Sequence, residues 1–297
     1  MPRLNRRGFT MVELLVTLTL ISVLGAVLAQ LMMNQQRFFQ RTVEQSGVRR
    51  ELRAAMSILP AEIRSLSSSG GDLTALTPTS IQFRGLIGAS IVCAKPGGNV
   101  VDLPPIDLAH NVLTTWYTEP VAGDTMYAFD EGPLRGAEDD VWVPLPITSV
   151  AATTAPCPGA PYTDPVADAG KQRFRVTLSD AIPDSVKVGA GVRFYRHMRY
   201  QLSQSASNKW YLSRSELAGG AWTTPAYMSG PYESPTSGGI SFRYFDSTGV
   251  EVTSVANANS VARVDLTLRA SGLAGSQKGQ AAPKDSLSFR IALRNRQ

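Results

Sequence analysis

Hydrophobic and polar residues are distributed unevenly along the chain, and three patterns follow one another. From Phe9 to Met33 the run FTMVELLVTLTLISVLGAVLAQLMM holds one charge, Glu13, in 25 residues. Leu14 to Met33 alone is 20 residues, which at ~1.5 Å per residue matches the ~30 Å hydrocarbon core of a bilayer. Beyond Met33 the chain turns amphipathic. Val48, Leu52, Met56, Leu59, Ile63 and Leu66 recur at intervals of 4, 4, 3, 4 and 3, a helical spacing that draws one apolar stripe for a globular domain to rest on. Pro60 falls inside the stripe and is expected to kink or interrupt it. A helix from Phe9 to about Leu66 would extend ~85 Å.

Ser67-Ser68-Ser69-Gly70-Gly71 then ends the helical region, and a period of two takes over. Val264, Leu266 and Leu268 alternate with Arg263, Asp265, Thr267 and Arg269, and Leu287, Phe289, Ile291 and Leu293 alternate with polar or small neighbours. Such alternation marks half-buried antiparallel strands. Val192–Leu202 and Lys209–Arg214 read as one hairpin. Ile240–Phe245 and Val250–Val255 read as another, turned by Asp246-Ser247-Thr248-Gly249. Residues 153–170, 219–239 and 271–284, rich in Pro and Gly, read as loops. The fold class expected is α+β: a long amino-terminal helix packed on a large antiparallel sheet domain.

With 43% hydrophobic and 18% charged residues the chain can bury a sizeable core and is neither a disordered tail nor a collagen. Cys93, Cys157, His110 and His197 are the only Cys and His residues and lack close paired spacing, so no zinc framework is expected. The net charge of +5 includes Arg3, Arg6 and Arg7; beyond residue 8 the balance is 26 basic to 24 acidic residues, or +2. The basic excess therefore belongs mainly to a targeting segment.

A secretory signal peptide cut after Val27-Leu28-Ala29 would leave the apolar run too long and Glu13 unexplained. A plain anchor also gives no reason for a carboxylate in hydrocarbon. The residues Arg6-Arg7-Gly8-Phe9-Thr10-Met11-Val12-Glu13-Leu14-Leu15 closely resemble the class III leader of type IV pilin-like proteins. That resemblance implies cleavage between Gly8 and Phe9 by a prepilin peptidase that also N-methylates Phe9. It further implies assembly through Glu13 paired with the Phe9 amine of a neighbouring subunit, an arrangement that would satisfy two otherwise costly charges. The organisation expected is a leader at 1–8, a transmembrane half-helix at 9–33, an amphipathic half-helix at 34–66 and a β-rich domain at 67–297. By the positive-inside rule the amino terminus is cytoplasmic and the β domain periplasmic, anchored in the bacterial inner membrane.

The order of later elements is similar to that of the minor pilin W and pseudopilin J families. The resemblance rests on Tyr211-Leu212-Ser213-Arg214-Ser215-Glu216, Ile240 through Gly249, and Val261 through Leu268; residues 85–190 carry no such likeness. No Pro stands between Phe9 and Pro60, whereas major pilins usually carry one late in the apolar segment. This favours a minor structural subunit, not an enzyme, acting in pilus assembly initiation or at the tip. Alternatives are a type II secretion pseudopilin and a tip module for adhesion or DNA. The partners implied are the peptidase and methyltransferase, other minor and major pilins through the helix, and the inner membrane assembly platform.

Further chemistry is sparse, and no cofactor is expected. Gly189-Ala190-Gly191 precedes a strand and reads as a turn. Glu138-Asp139-Asp140 lacks the spacing of a calcium loop and reads as a solvated acidic turn. Arg193, Arg196, Arg199, Arg290, Arg294 and Arg296, with Tyr195 and Tyr200, form at most a weak basic stripe for nucleic acid; exposed Arg on strands is ordinary edge protection. In the oxidising periplasm Cys93 and Cys157 are expected to form a disulfide, with a free core Cys93 and an exposed Cys157 thiol as the alternative.

Overall fold

The computed structural model describes residues 10–107, 112–133, 138–160, 162–272 and 282–293. One helix, α1 (Met11–Arg64), spans 54 residues. Thr10 caps it, and its first charged residue, Glu13, closes a capping box with the cap. Of the kink or interruption expected at Pro60, the interruption does not occur: the helix runs through it to Arg64. Pro60 costs one backbone bond, only four residues remain before the end, and the flanking Leu59 and Ile63 are fully buried. The buried stripe is Val48, Leu52, Ala55, Leu59 and Ile63, so Ala55 takes the inner place read for Met56, which is half-buried. Ser67 and Asp72 then lock the exit turn: each backbone N–H reaches the other residue, Ser67 N to Asp72 Oδ2 at 2.8 Å and Asp72 N to Ser67 O at 3.0 Å.

Among the described residues fifteen strands follow. They are β1 (Leu73–Leu76), β2 (Ser80–Ile91), β3 (Ala94–Gly97), β4 (Val100–Asp102) and β5 (Thr115–Trp116). Next come β6 (Thr125–Asp130), β7 (Val141–Thr153), β8 (Arg173–Leu178), β9 (Gly191–Gln204) and β10 (Trp210–Ala218). The last are β11 (Ala221–Trp222), β12 (Ala226–Tyr232), β13 (Ile240–Phe245), β14 (Arg263–Ser271) and β15 (Lys284–Ala292). The sheet runs β13-β14-β12-β10-β9-β6-β7-β8-β4-β3. Its axis is β9, flanked along one edge by β2 and along the other by β6 and then β10. β7 pairs β6 with its first half and β8 with its second. β14 lies between β13 and β15 and joins the rest through the single pair Tyr232 and Ala270.

Two sequence expectations change here. Val250–Val255 is not the second strand of a hairpin; only an isolated bridge, Phe245 to Glu251, forms, and the ladder partner of β13 is β14. The Asp246 carboxylate accepts from the Thr248 and Val250 N–H groups, curling the chain, and Ser254 caps a 3-10 turn at Val255–Ser260. Residues 219–239 are not simply a loop, since β11 and β12 form there. β12 ends in a cis Gly230–Pro231 bond, and strand pairing had been masked in the sequence by its Gly and Pro.

The carboxy-terminal half of α1 packs against β12, β14 and β15. Its buried side chains join one core with Phe83, Tyr200, Leu212, Phe242 and Leu266. Polar ties fix the pose: Tyr200 Oη donates to Glu62 Oε2 at 2.8 Å, Tyr232 Oη to the Glu51 carbonyl at 3.2 Å, and Gly230 N to Glu51 Oε2 at 3.2 Å.

Candidate assembly surface

The amino-terminal half of α1 touches none of this core. Every residue from Thr10 to Val43 is exposed, and large apolar side chains from Met11 to Val43 keep half or more of their surface. From Met11 to Met33 these side chains make a continuous apolar cylinder, far beyond what a soluble monomer leaves in water, so lipid or neighbouring helices must cover it. Its few hydroxyls are already satisfied within the helix. Thr17 Oγ1 donates to the Leu14 carbonyl at 2.9 Å, Thr19 Oγ1 to Val16 at 2.8 Å and Ser22 Oγ to Thr19 at 2.8 Å. Glu13 thus stands as the single charge between Thr10 and Met33.

The Glu13 carboxylate bends back to the start of the helix. Oε2 lies 3.4 Å from Thr10 N and 3.2 Å from Thr10 Oγ1, and the Glu13 N–H donates to Thr10 Oγ1 at 3.3 Å. The helix dipole favours an anion there, and the carboxylate sits beside the residue that directly follows Phe9. Gly8 and Phe9 themselves, like His110, Arg294 and Arg296, lie outside the described residues.

At the other end of the helix a chain of charges, its members far apart in sequence, links α1 to the sheet. Arg196 does not belong to an exposed basic stripe: its side chain is 4% exposed and grips Asp124, whose side chain is fully buried, through Nε and Nη2 at 2.8 Å each. Its Nη1 donates to Glu216 at 2.8 Å, Glu216 accepts from Arg214 at 2.9 Å, and Arg214 lies 3.9 Å from Glu62 of α1. The hydrogen bond to Asp124, with that to Glu216, raises the Arg196 pKa against the effect of burial. A signal was present in the sequence: Arg196 shares the parity of Val192, Phe194, Met198, Tyr200 and Leu202, the inward face of β9.

The rest of the supposed stripe also divides. Arg193 packs over Trp142 and Arg199 over Trp222, with guanidinium to ring-centre distances of 4.3 and 4.4 Å. Tyr200 is buried and bonded to Glu62, whereas Tyr195 stays on the outer face against Tyr127. His197 is half-buried; burial, with Arg84 nearby, lowers its pKa. Among the described residues no three His, Cys, Asp or Glu side chains gather as metal ligands; Glu138-Asp139-Asp140 lead into β7.

Cys93 and Cys157 are joined in the structure, their Cα atoms 5.8 Å apart. Cys93 follows β2, and its N–H donates to the Asp102 carbonyl at 2.8 Å. Burial opposes ionisation of Asp102, but the hydrogen bonds from Arg175 and Arg173 prevail and lower its pKa. The bridge ties the Pro-rich segment around Cys157 to Cys93, and Arg173 of β8, paired with Asp102 of β4, also donates to the Ala155 carbonyl of that segment.

Residues 3–29 match the family model of the prokaryotic N-terminal methylation motif. No curated protein and no solved structure matches the chain. The matched segment runs from the leader into the exposed apolar half of α1, so the chain is pilin- or pseudopilin-like at its amino end. Such a leader implies processing by a prepilin peptidase and entry into a pilin-type assembly, and the apolar helix fits an inner membrane anchor.

Proposed function

We propose that this chain is a minor structural subunit of a type IV pilus, acting in assembly initiation or in the tip complex. The observation that carries the reading is the methylation motif continuing without a break into a 54-residue helix whose first half is wholly uncovered. In this reading the Gly8–Phe9 bond is cut, Phe9 becomes an N-methylated amino terminus, and the β domain lies in the periplasm. A cationic amine and the Glu13 carboxylate are each costly alone among apolar helices, and pairing between adjacent subunits relieves both. The capping box holds the Glu13 carboxylate beside Thr10 at the helix start, which supports this role. The absence of Pro between Phe9 and Pro60 and the size of the β domain favour a minor subunit over a fibre-building one.

Mass spectrometry of the mature chain tests processing: the expected amino terminus is N-methylated Phe9, and a chain beginning at Gln30 overturns the reading. Glu13→Ala is expected to leave insertion and cleavage intact but reduce incorporation into filaments, with Glu13→Gln doing the same at nearly constant volume. Normal incorporation of both variants removes the charge-pairing role.

A further inference from the structure

The outer edge of β15 is a long strand edge left without backbone partners among the described residues. β15 pairs β14 over nine residues without a bulge, from Lys284 opposite Ser271 to Ala292 opposite Arg263. Its flanks set the hydrogen-bond phase: Gly272 N donates to the Pro283 carbonyl at 2.7 Å, and Leu293 N to the Ala262 carbonyl at 3.0 Å. Odd-numbered residues therefore exchange bonds with β14, and Lys284, Ser286, Ser288, Arg290 and Ala292 turn their N–H and C=O groups outward. Of these, Ser286 N reaches only the adjacent Asp285 carboxylate, at 2.9 Å.

Two other edges are closed. On β13, Phe242 N donates to the Pro78 carbonyl and the Tyr244 carbonyl accepts from Val252 N, both at 2.8 Å. β7 carries Pro144 and Pro146, residues that blunt an edge. β15 has neither a covering backbone bond nor a proline on this edge, only the charges of Lys284 and Arg290.

The odd face of β15, with Leu287, Phe289 and Ile291, turns inward, and Arg49 of α1 meets Asp285 at 3.2 Å. The open edge thus runs beside the helix that brings subunits together. Lys284 is held by Glu233, whereas the Arg290 side chain is 80% exposed and only 3.9 Å from its nearest acid, Asp265. We propose that this edge accepts a strand from the β domain of a different pilin-like subunit, with a carboxylate facing Arg290. The inference rests on the assembly role argued above. A second copy pairing antiparallel through this same edge is the wrong occupant. Antiparallel self-pairing across one edge uses a twofold axis perpendicular to the sheet; it would reverse α1, which lies on the sheet face, so the two anchors could not enter one membrane in the same direction.

The test places a photo-cross-linking residue at Ser286 in the full chain, in cells that build the assembly, and a second one separately at Val43 on α1. Expected is a cross-link from Ser286 to a strand of another chain bearing a methylation-motif leader, mapped by mass spectrometry. It should be lost on adding Ser288→Pro, which deletes one outward N–H while leaving the β14 bonds, or Arg290→Glu, which reverses the charge without touching the backbone. Ser288→Ala should retain it. A self-cross-link, or persistence in both the Pro and Glu variants, overturns the proposal. If Val43 cross-links to pilin-like chains and Ser286 does not, the edge proposal fails and the assembly reading stands; if neither cross-links, both fail.

Discussion

Asp124→Asn probes the buried charge chain most directly. Asp124 is fully enclosed and holds two guanidinium nitrogens of Arg196 at 2.8 Å while accepting the Val121 N–H at 2.8 Å. The change keeps the volume but leaves Arg196, 4% exposed, with Glu216 as its remaining counter-charge. Breaking a buried pair from one side typically costs ~3–5 kcal/mol, because the surviving charge stays desolvated. At ~2–4 °C per kcal/mol for a domain of this size, that is a fall of about 6–20 °C in Tm. Glu216→Gln should cost less, about 1.5–3 kcal/mol, since Glu216 is 21% exposed and water can replace part of what is lost. The assay is thermal unfolding of the detergent-solubilised full chain, followed by near-UV circular dichroism of the β domain. An Asp124→Asn variant within ~1 kcal/mol of the parent, or one less damaged than Glu216→Gln, would refute the claim that this pair is isolated from solvent.

Two further outcomes are expected. Thiol labelling of the denatured, unreduced chain should find no reactive cysteine, and Cys157→Ser should lower stability by ~4 kcal/mol, less any strain, because the bridge closes a 64-residue separation; two labelled thiols in the parent would remove the bridge. Burial pushes the phenol of Tyr232 up to about 12 and raises those of Tyr200 and Tyr244 as well. A phenol with a raised folded-state pKa contributes stability that is fully present below its unfolded value of ~10 and is lost as pH rises through the folded value. Alkaline unfolding is therefore expected above pH ~10, with these three tyrosines ionising only as the β domain opens; ionisation of all tyrosines in one step near pH ~10, with the fold intact, would contradict their burial.

What could be read before folding was whatever depends on neighbours in sequence. The apolar run, its one carboxylate and the 3.6-residue stripe are local patterns, and α1 follows them from Met11 to Arg64. The alternation in β9, β14 and β15 is equally local, and these strands form at or near the residues expected. Pairing is not local. Ile240–Phe245 has a turn and an apolar segment immediately after it, but β14 offers Val264, Leu266 and Leu268 at matching register, and those buried pairs outweigh the shorter hairpin. Residues 226–232 read as loop because Gly and Pro are poor strand formers, yet β10 and, at Tyr232, Ala270 of β14 enlist them.

Charge shows the same division. An arginine on a strand is exposed by default, and only the parity of Arg196, together with Asp124 arriving from β6's approach and Glu216 from β10, makes its burial affordable. The open edge of β15 likewise could not be read from composition, since whether a strand's second side is covered depends on every other element in the sheet. Side-chain periodicity is set by backbone geometry and is written along the chain; partner choice is set by the competition among all available surfaces, which only the tertiary structure decides.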